Sequence, residues 1–112
     1  MPHIPEIEID RLPDPLPEEV VVLDVREHDE WRAGHIEGAL HIPLAELPGR
    51  VDDLSGAQQV LVVCKVGGRS AQAAAFLQAC GLDVVNLVGG MRAWDASQRS
   101  MTADTTEPPY VA

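Results

Sequence analysis

Three apolar runs punctuate this chain: Val20-Val21-Val22-Leu23, Val60-Leu61-Val62-Val63 and Val84-Val85-Asn86-Leu87-Val88. None alternates cleanly between apolar and polar positions, as a strand does when one of its faces is wet. Short β-branched runs of this kind fit strands covered on both faces of a parallel sheet. Between and after them the spacing becomes helical, near Glu27–Arg32, Leu44–Asp53, Ser70–Cys80 and Met91–Gln98, with Gly81 placed to end the third. Strands alternating with helices predict an α/β fold, a central parallel β-sheet flanked by helices on both faces. Glu6–Ile9 and Ala39–Ile42 are expected to add short edge or inner strands.

Prolines mark the approach to the first core strand, at Pro13, Pro15 and Pro17, and make it irregular. From Ser100 onward the chain turns Thr-, Asp- and Pro-rich, with Pro108-Pro109 near its end, and reads as a mobile tail. The expected organisation is an N-terminal extension over residues 1–5, one domain over 6–99 and a C-terminal tail over 100–112. A chain of 112 residues holds one packed core and is small for two.

Composition narrows the function classes. An apolar fraction of 46% belongs to a globular chain, and the apolar runs are too short to span a bilayer. Glu6, Glu8, Asp10, Asp14, Glu18 and Glu19 occupy the region where a secretory signal would be positive and apolar, so a cytoplasmic protein is expected. A formal charge of −10 argues against nucleic acid, which needs clustered Lys and Arg. Locally the balance reverses: between Leu54 and Gly81 there is no Asp or Glu, while Lys65 and Arg69 are present. That stretch suits a small anion rather than a polymer.

Within it lies Cys64-Lys65-Val66-Gly67-Gly68-Arg69-Ser70. A buried strand, a glycine-containing loop and a helix start follow one another here. The first N–H groups of a helix lack intrahelical acceptors and carry the positive end of its dipole, so Cys64 should ionise readily and act as a nucleophile. Gly67 and Gly68 would let several amides turn inward through backbone angles that a side chain resists. Lys65, the only lysine, stands at the pocket rim or in solvent, and Arg69 is either a substrate contact or a brace for the loop. Ser70 donates to the thiolate or caps the helix. Cys80 falls at the far end of the same helix, too distant for a disulfide with Cys64, and reads as a core residue. His28, His35 and His41 match no metal-ligand spacing, so no metal and no cofactor are expected.

Further segments extend the pattern. Asp24-Val25-Arg26-Glu27, Glu30-Trp31, Gly34-His35-Ile36-Glu37-Gly38-Ala39 and Ile42-Pro43 precede the cysteine loop, and Gly89-Gly90-Met91-Arg92-Ala93-Trp94 follows it. In order and spacing these resemble the signatures of the single-domain rhodanese sulfurtransferases, over roughly Ile7 to Ala96. The resemblance implies the rhodanese-like α/β fold and a Cys64 that takes the outer sulfur of a small anionic donor such as thiosulfate. The resulting persulfide would pass its sulfur to cyanide, a thiol or a protein acceptor. It also implies that Asp24, Arg26 and Glu37 form polar pairs supporting the loop, that His35 is structural, and that Trp31 and Trp94 fill the core or wall the pocket.

Two alternatives remain at this level. A non-catalytic rhodanese-like module would bind or regulate, yet such modules often lose the cysteine or disrupt the loop, and both are intact here. A cysteine phosphatase or arsenate reductase also curls a Cys…Arg loop around an anion. Those loops are one residue longer than the Lys65-Val66-Gly67-Gly68 gap, and the shorter ring fits a sulfur atom better than a phosphate.

Overall fold

Val60 to Val63 are all buried, and the reason is their position in the middle of the sheet. The structure, a computed structural model, describes residues 3–112. Five strands, β1 (Glu6–Ile7), β2 (Val20–Asp24), β3 (Leu40–His41), β4 (Gln59–Val63) and β5 (Val84–Leu87), pair in the order β1-β5-β4-β2-β3. Every pairing is parallel, and β4 aligns Val63 with Asp24 of β2 and Val62 with Asn86 of β5. This is the α/β architecture expected from the strand and helix spacing.

Alternate residues of β4 serve two different cores, which explains the continuous apolar run. Val60 and Val62 join Leu23, Val25, Leu47 and Leu54 on one face. Leu61 and Val63 join Val22, Leu87, Met91 and Trp94 on the other. The first face is covered by α2 (Gly68–Ala79), which contributes Ala73, Ala74 and Leu77, and the second by α3 (Gly90–Ala96). A third helix, α1 (His28–Ala33), follows β2 and opens with a capping box in which the Glu27 and Glu30 side chains each accept from the other's backbone N–H.

The expected helix over Leu44–Asp53 is instead two 3₁₀ segments, Leu44–Gly49 and Val51–Leu54. Pro48 lies inside it, lacks an N–H and would press its ring on the carbonyl four residues back, so α-helical bonding cannot run through. Glu6–Ile9 is likewise shorter than expected: the strand ends at Ile7, and Ile9–Arg11 turns into a 3₁₀ segment.

The stretch read as a mobile tail lies against the body. Thr102 and His35 exchange backbone bonds of 2.8 Å, Asp104 N–H donates to Arg32 O at 3.0 Å, and Tyr110 N–H donates to Ala33 O at 3.0 Å. Met101 and Val111 pack on the α3-side core. The composition signals a chain without secondary structure of its own, and it says nothing of backbone bonds to the end of α1. Among the described residues no helix is long and apolar enough to cross a membrane.

Candidate active site

The loop Cys64–Gly67 joins the C-terminal end of β4 to α2, at the edge of the sheet where parallel α/β domains place their sites. The Cys64 side chain is buried, and its Sγ accepts the Gly67 N–H at 3.1 Å and the Ser70 hydroxyl at 3.3 Å. The carbonyls of Cys64, Lys65 and Gly67 are each bonded to groups other than the sulfur. Met91 N–H donates to Cys64 O at 2.8 Å and Arg92 N–H to Lys65 O at 3.0 Å, so the first amides of α3 back one side of the loop. Gly67 O accepts from Ala71 N–H at 3.1 Å, Ser70 Oγ at 3.2 Å and Asn86 Nδ2 at 3.3 Å. In a planar trans peptide the C=O and N–H point in opposite directions, so carbonyls fixed outward turn the following N–H groups inward. The result is a cup of donors around one sulfur atom.

Two opposing effects act on that sulfur. Burial pushes the Cys64 thiol up, but the Ser70 hydroxyl and the N–H groups of Ser70, Gly67 and Val66 favour the anion and prevail, leaving it below its ordinary value. The thiolate is the form of Cys64 that this cup stabilises.

The glycines divide into two kinds. Gly67 sits at φ +116°, in the left-handed region, and Gly90 at φ +54° lies hard against the loop, where a Cβ would meet Lys65 O at 2.8 Å and Cys64 O closer still. Gly68, expected to share the need for unusual angles, begins α2 with open space around it. Gly67→Ala is therefore expected to lose about 1–2 kcal/mol of stability, whereas Gly68→Ala stays within about 0.5 kcal/mol of wild type. Thermal melts of the two variants check the distinction, and equal losses would contradict it.

Arg69 is a brace. Its guanidinium meets the Glu30 carboxylate at 2.7 and 2.9 Å, a two-pronged bond that ties α2 to α1. Glu30 also accepts the Glu27 N–H at 3.0 Å. The Arg69 side chain, more than burial opposes it, holds the Glu30 carboxyl down at about 2. Because that lies below the ordinary value of 4.5, the bond stabilises the fold fully above pH 4.5 and is lost as pH falls through about 2. Glu30→Gln is expected to lose about 1 kcal/mol at neutral pH, the pair being partly solvated, and to flatten the fall in stability across that acid window. Urea midpoints measured from pH 7 to pH 2 would show it.

Asp24 and Arg26 form a fully buried ion pair at the C-terminal end of β2. Arg26 Nε lies 3.0 and 3.1 Å from the two Asp24 oxygens and Nη2 2.7 Å from Oδ2, with a further bond of 2.8 Å to Gly34 O. Glu37 is not part of it: its side chain is exposed two residues beyond His35, and Glu30 is the carboxylate that reaches the loop. Lys65 is half-buried and Val66 is exposed at the loop tip. Cys80, expected in the core, is exposed at the C-terminal end of α2. Trp94 does fill the core. Trp31 is half-buried and stacks flat on His35 and His41, with centroids 3.6 and 4.7 Å away. His35 Nδ1–H donates to Trp31 O at 2.6 Å and His41 Nε2–H to Arg26 O at 2.7 Å, so both imidazoles brace backbone.

Sequence reasoning gave no role to Glu30, Asn86 or Gly90. For Glu30 the signal was the Glu27…Glu30 capping-box spacing, and for Asn86 it was a polar residue interrupting an apolar strand. Gly90 is within a quoted segment, but nothing local reveals that the partner it approaches lies 25 residues earlier.

A donor-lined cysteine cup lies at the C-terminal edge of a doubly covered parallel sheet, and together they define an α/β domain with a buried, hydrogen-bonded thiol at its candidate site. The chain belongs to the rhodanese family: the rhodanese-like domain matches residues 9–97. It is 36% identical over 87 residues to a thiosulfate sulfurtransferase GlpE of Pseudomonas putida, covering 77% of this chain and 79% of that one. It is 37% identical over 94 residues to YrkF of Bacillus subtilis, covering 81% of this chain and 51% of YrkF, so it spans about half of that relative. Among solved structures, a rhodanese-related protein from Thermoplasma volcanium superposes with a TM-score of 0.81 at 32% identity, covering 88% of this chain and 97% of that one.

Proposed function

We propose that this protein is a sulfurtransferase in which Cys64 is the nucleophile and the loop Lys65–Ser70 holds its sulfur. The observation that carries the reading is the cup itself, with Cys64 Sγ accepting from Gly67 N–H and the Ser70 hydroxyl while burial would otherwise keep the thiol neutral. In the first half-reaction the Cys64 thiolate attacks the outer sulfur of a donor such as thiosulfate. A new S–S bond forms, the donor's own S–S bond breaks, and sulfite leaves with its electron pair. The outer sulfur of the persulfide is also anionic, so the same amides hold it. In the second half-reaction an acceptor nucleophile (cyanide, a thiol or a protein thiol) takes that sulfur, and the Cys64 thiolate is regenerated. Asp24, Arg26 and the Arg69–Glu30 pair act on neither half directly; they fix the frame in which the amides converge. The name of the GlpE relative supports thiosulfate as the donor to try first.

Intact-mass measurement after incubation with thiosulfate tests this. The expected result is the gain of one sulfur atom, reversed by cyanide and absent from Cys64→Ser. No adduct from thiosulfate, a low-molecular-weight persulfide or 3-mercaptopyruvate would overturn it.

A further inference from the structure

Asn86 is the one polar side chain in the centre of β5, buried between Val85 and Leu87 on a strand that otherwise supplies core. Its Nδ2 donates to Gly67 O at 3.3 Å, while its Oδ1 is buried without a hydrogen-bond partner. A side chain kept in this state is unusual, because a buried polar atom left unpaired is destabilising. The orientation of the amide is fixed by its partner: a carbonyl oxygen only accepts, so the NH2 group must face Gly67.

Gly67 is also the pivot of the loop. Its N–H is a backbone donor at 3.1 Å from Cys64 Sγ, and its lack of a side chain is what permits its φ of +116°. Three donors meet on its carbonyl, two from α2 and one from Asn86. Those from α2 move with the helix. That carbonyl belongs to the Gly67–Gly68 peptide, joined through the Cα of Gly67 to the N–H that meets the sulfur, and among the described residues Asn86 is what ties it to the sheet, whose register with β4 at Val62 is set by the ladder.

Resting on the sulfurtransferase reading, we infer that Asn86 is a positioning residue, clamping the Gly67 carbonyl so that the loop amides stay aimed at the sulfur of Cys64. The orphaned Oδ1 is the consequence of choosing an amide here over an apolar residue of the same size. The charged groups around the loop are Arg69 with its partner Glu30, Glu27 beside them, Lys65, Arg92, and the buried Asp24–Arg26 pair. An apolar substitution at Asn86 leaves all of them in place, so a change in thiolate formation reports the clamp and not a changed field.

The test is Asn86→Leu, of similar volume, with Asn86→Val as a second variant better suited to a strand. The rate of Cys64 alkylation by iodoacetamide is followed from pH 5 to 10 in a Cys80→Ser background, which removes the exposed second thiol. The expected result is a midpoint displaced upward, with about tenfold slower alkylation at neutral pH. Melting temperature should be unchanged or raised, since the unpaired Oδ1 is gone. A lowered melting temperature with an unmoved alkylation midpoint in either variant would make Asn86 a packing residue only and overturn the inference. Alkylation needs no sulfur donor, so this result stands apart from whether thiosulfate loads the wild-type protein.

Discussion

Asp24→Ala is expected to destabilise the fold by about 3–5 kcal/mol, the cost of stranding one member of a buried ion pair. Arg26 has no solvent exposure, and its Nη1 is already without a partner. Removing the carboxylate takes away every acceptor of the guanidinium except Gly34 O. A domain of this size is stable by only about 5–15 kcal/mol, so a melting temperature roughly 15–30 °C lower follows. The damage extends beyond the pair, because Arg26 O accepts from His41, and the neighbouring backbone hydrogen bonds run from Val25 N–H to Val63 O and from Leu44 N–H to Val25 O. The double variant Asp24→Leu with Arg26→Met is expected to recover much of the loss, since apolar groups of similar volume often replace a buried pair without penalty. If Asp24→Ala melts within a few degrees of wild type, the pair is not what holds this edge of the sheet.

Gly90→Ala is expected to reduce sulfur loading of Cys64 by roughly a hundredfold, although residue 90 touches neither substrate nor sulfur. The added methyl would sit inside contact distance of two loop carbonyls, and the residue would also be held at φ +54°. Relief requires α3 to withdraw, which breaks the bonds from Met91 N–H to Cys64 O and from Arg92 N–H to Lys65 O. Freed carbonyls let their peptides rotate, and the amides opposite them leave the sulfur. Single-turnover persulfide formation, followed by mass, gives the rate; a value within twofold of wild type would show that the loop needs no backing from α3.

The strands of the core were legible because β4 must satisfy two cores at once, and an unbroken apolar run is the signature of that demand. The cysteine loop was legible because strand, glycines and helix start are adjacent in the chain. What escaped depends on distant partners. Glu30 meets Arg69 across 39 positions, Asn86 meets Gly67 across 19, and the residues after Ser100 find α1 only in three dimensions. Glu37 has a place in the motif, while the carboxylate that meets Arg69 is Glu30, in the first turn of α1. The Leu44–Asp53 segment had helical spacing of apolar residues, and Pro48 decided against the α-helix.

The position of Cys80 bears on the life of the loaded protein. It stands exposed at the far end of a helix of 12 residues that begins just after the Cys64 loop, a rise of roughly 18 Å. A persulfide formed on Cys64, as proposed, would therefore have no second thiol of its own chain within reach to collapse onto. On the proposed reading, the charged form would persist until an acceptor from outside entered the cup. The concentration and shape of that collector would then set how long each sulfur dwells, making the protein a timer that another molecule must stop.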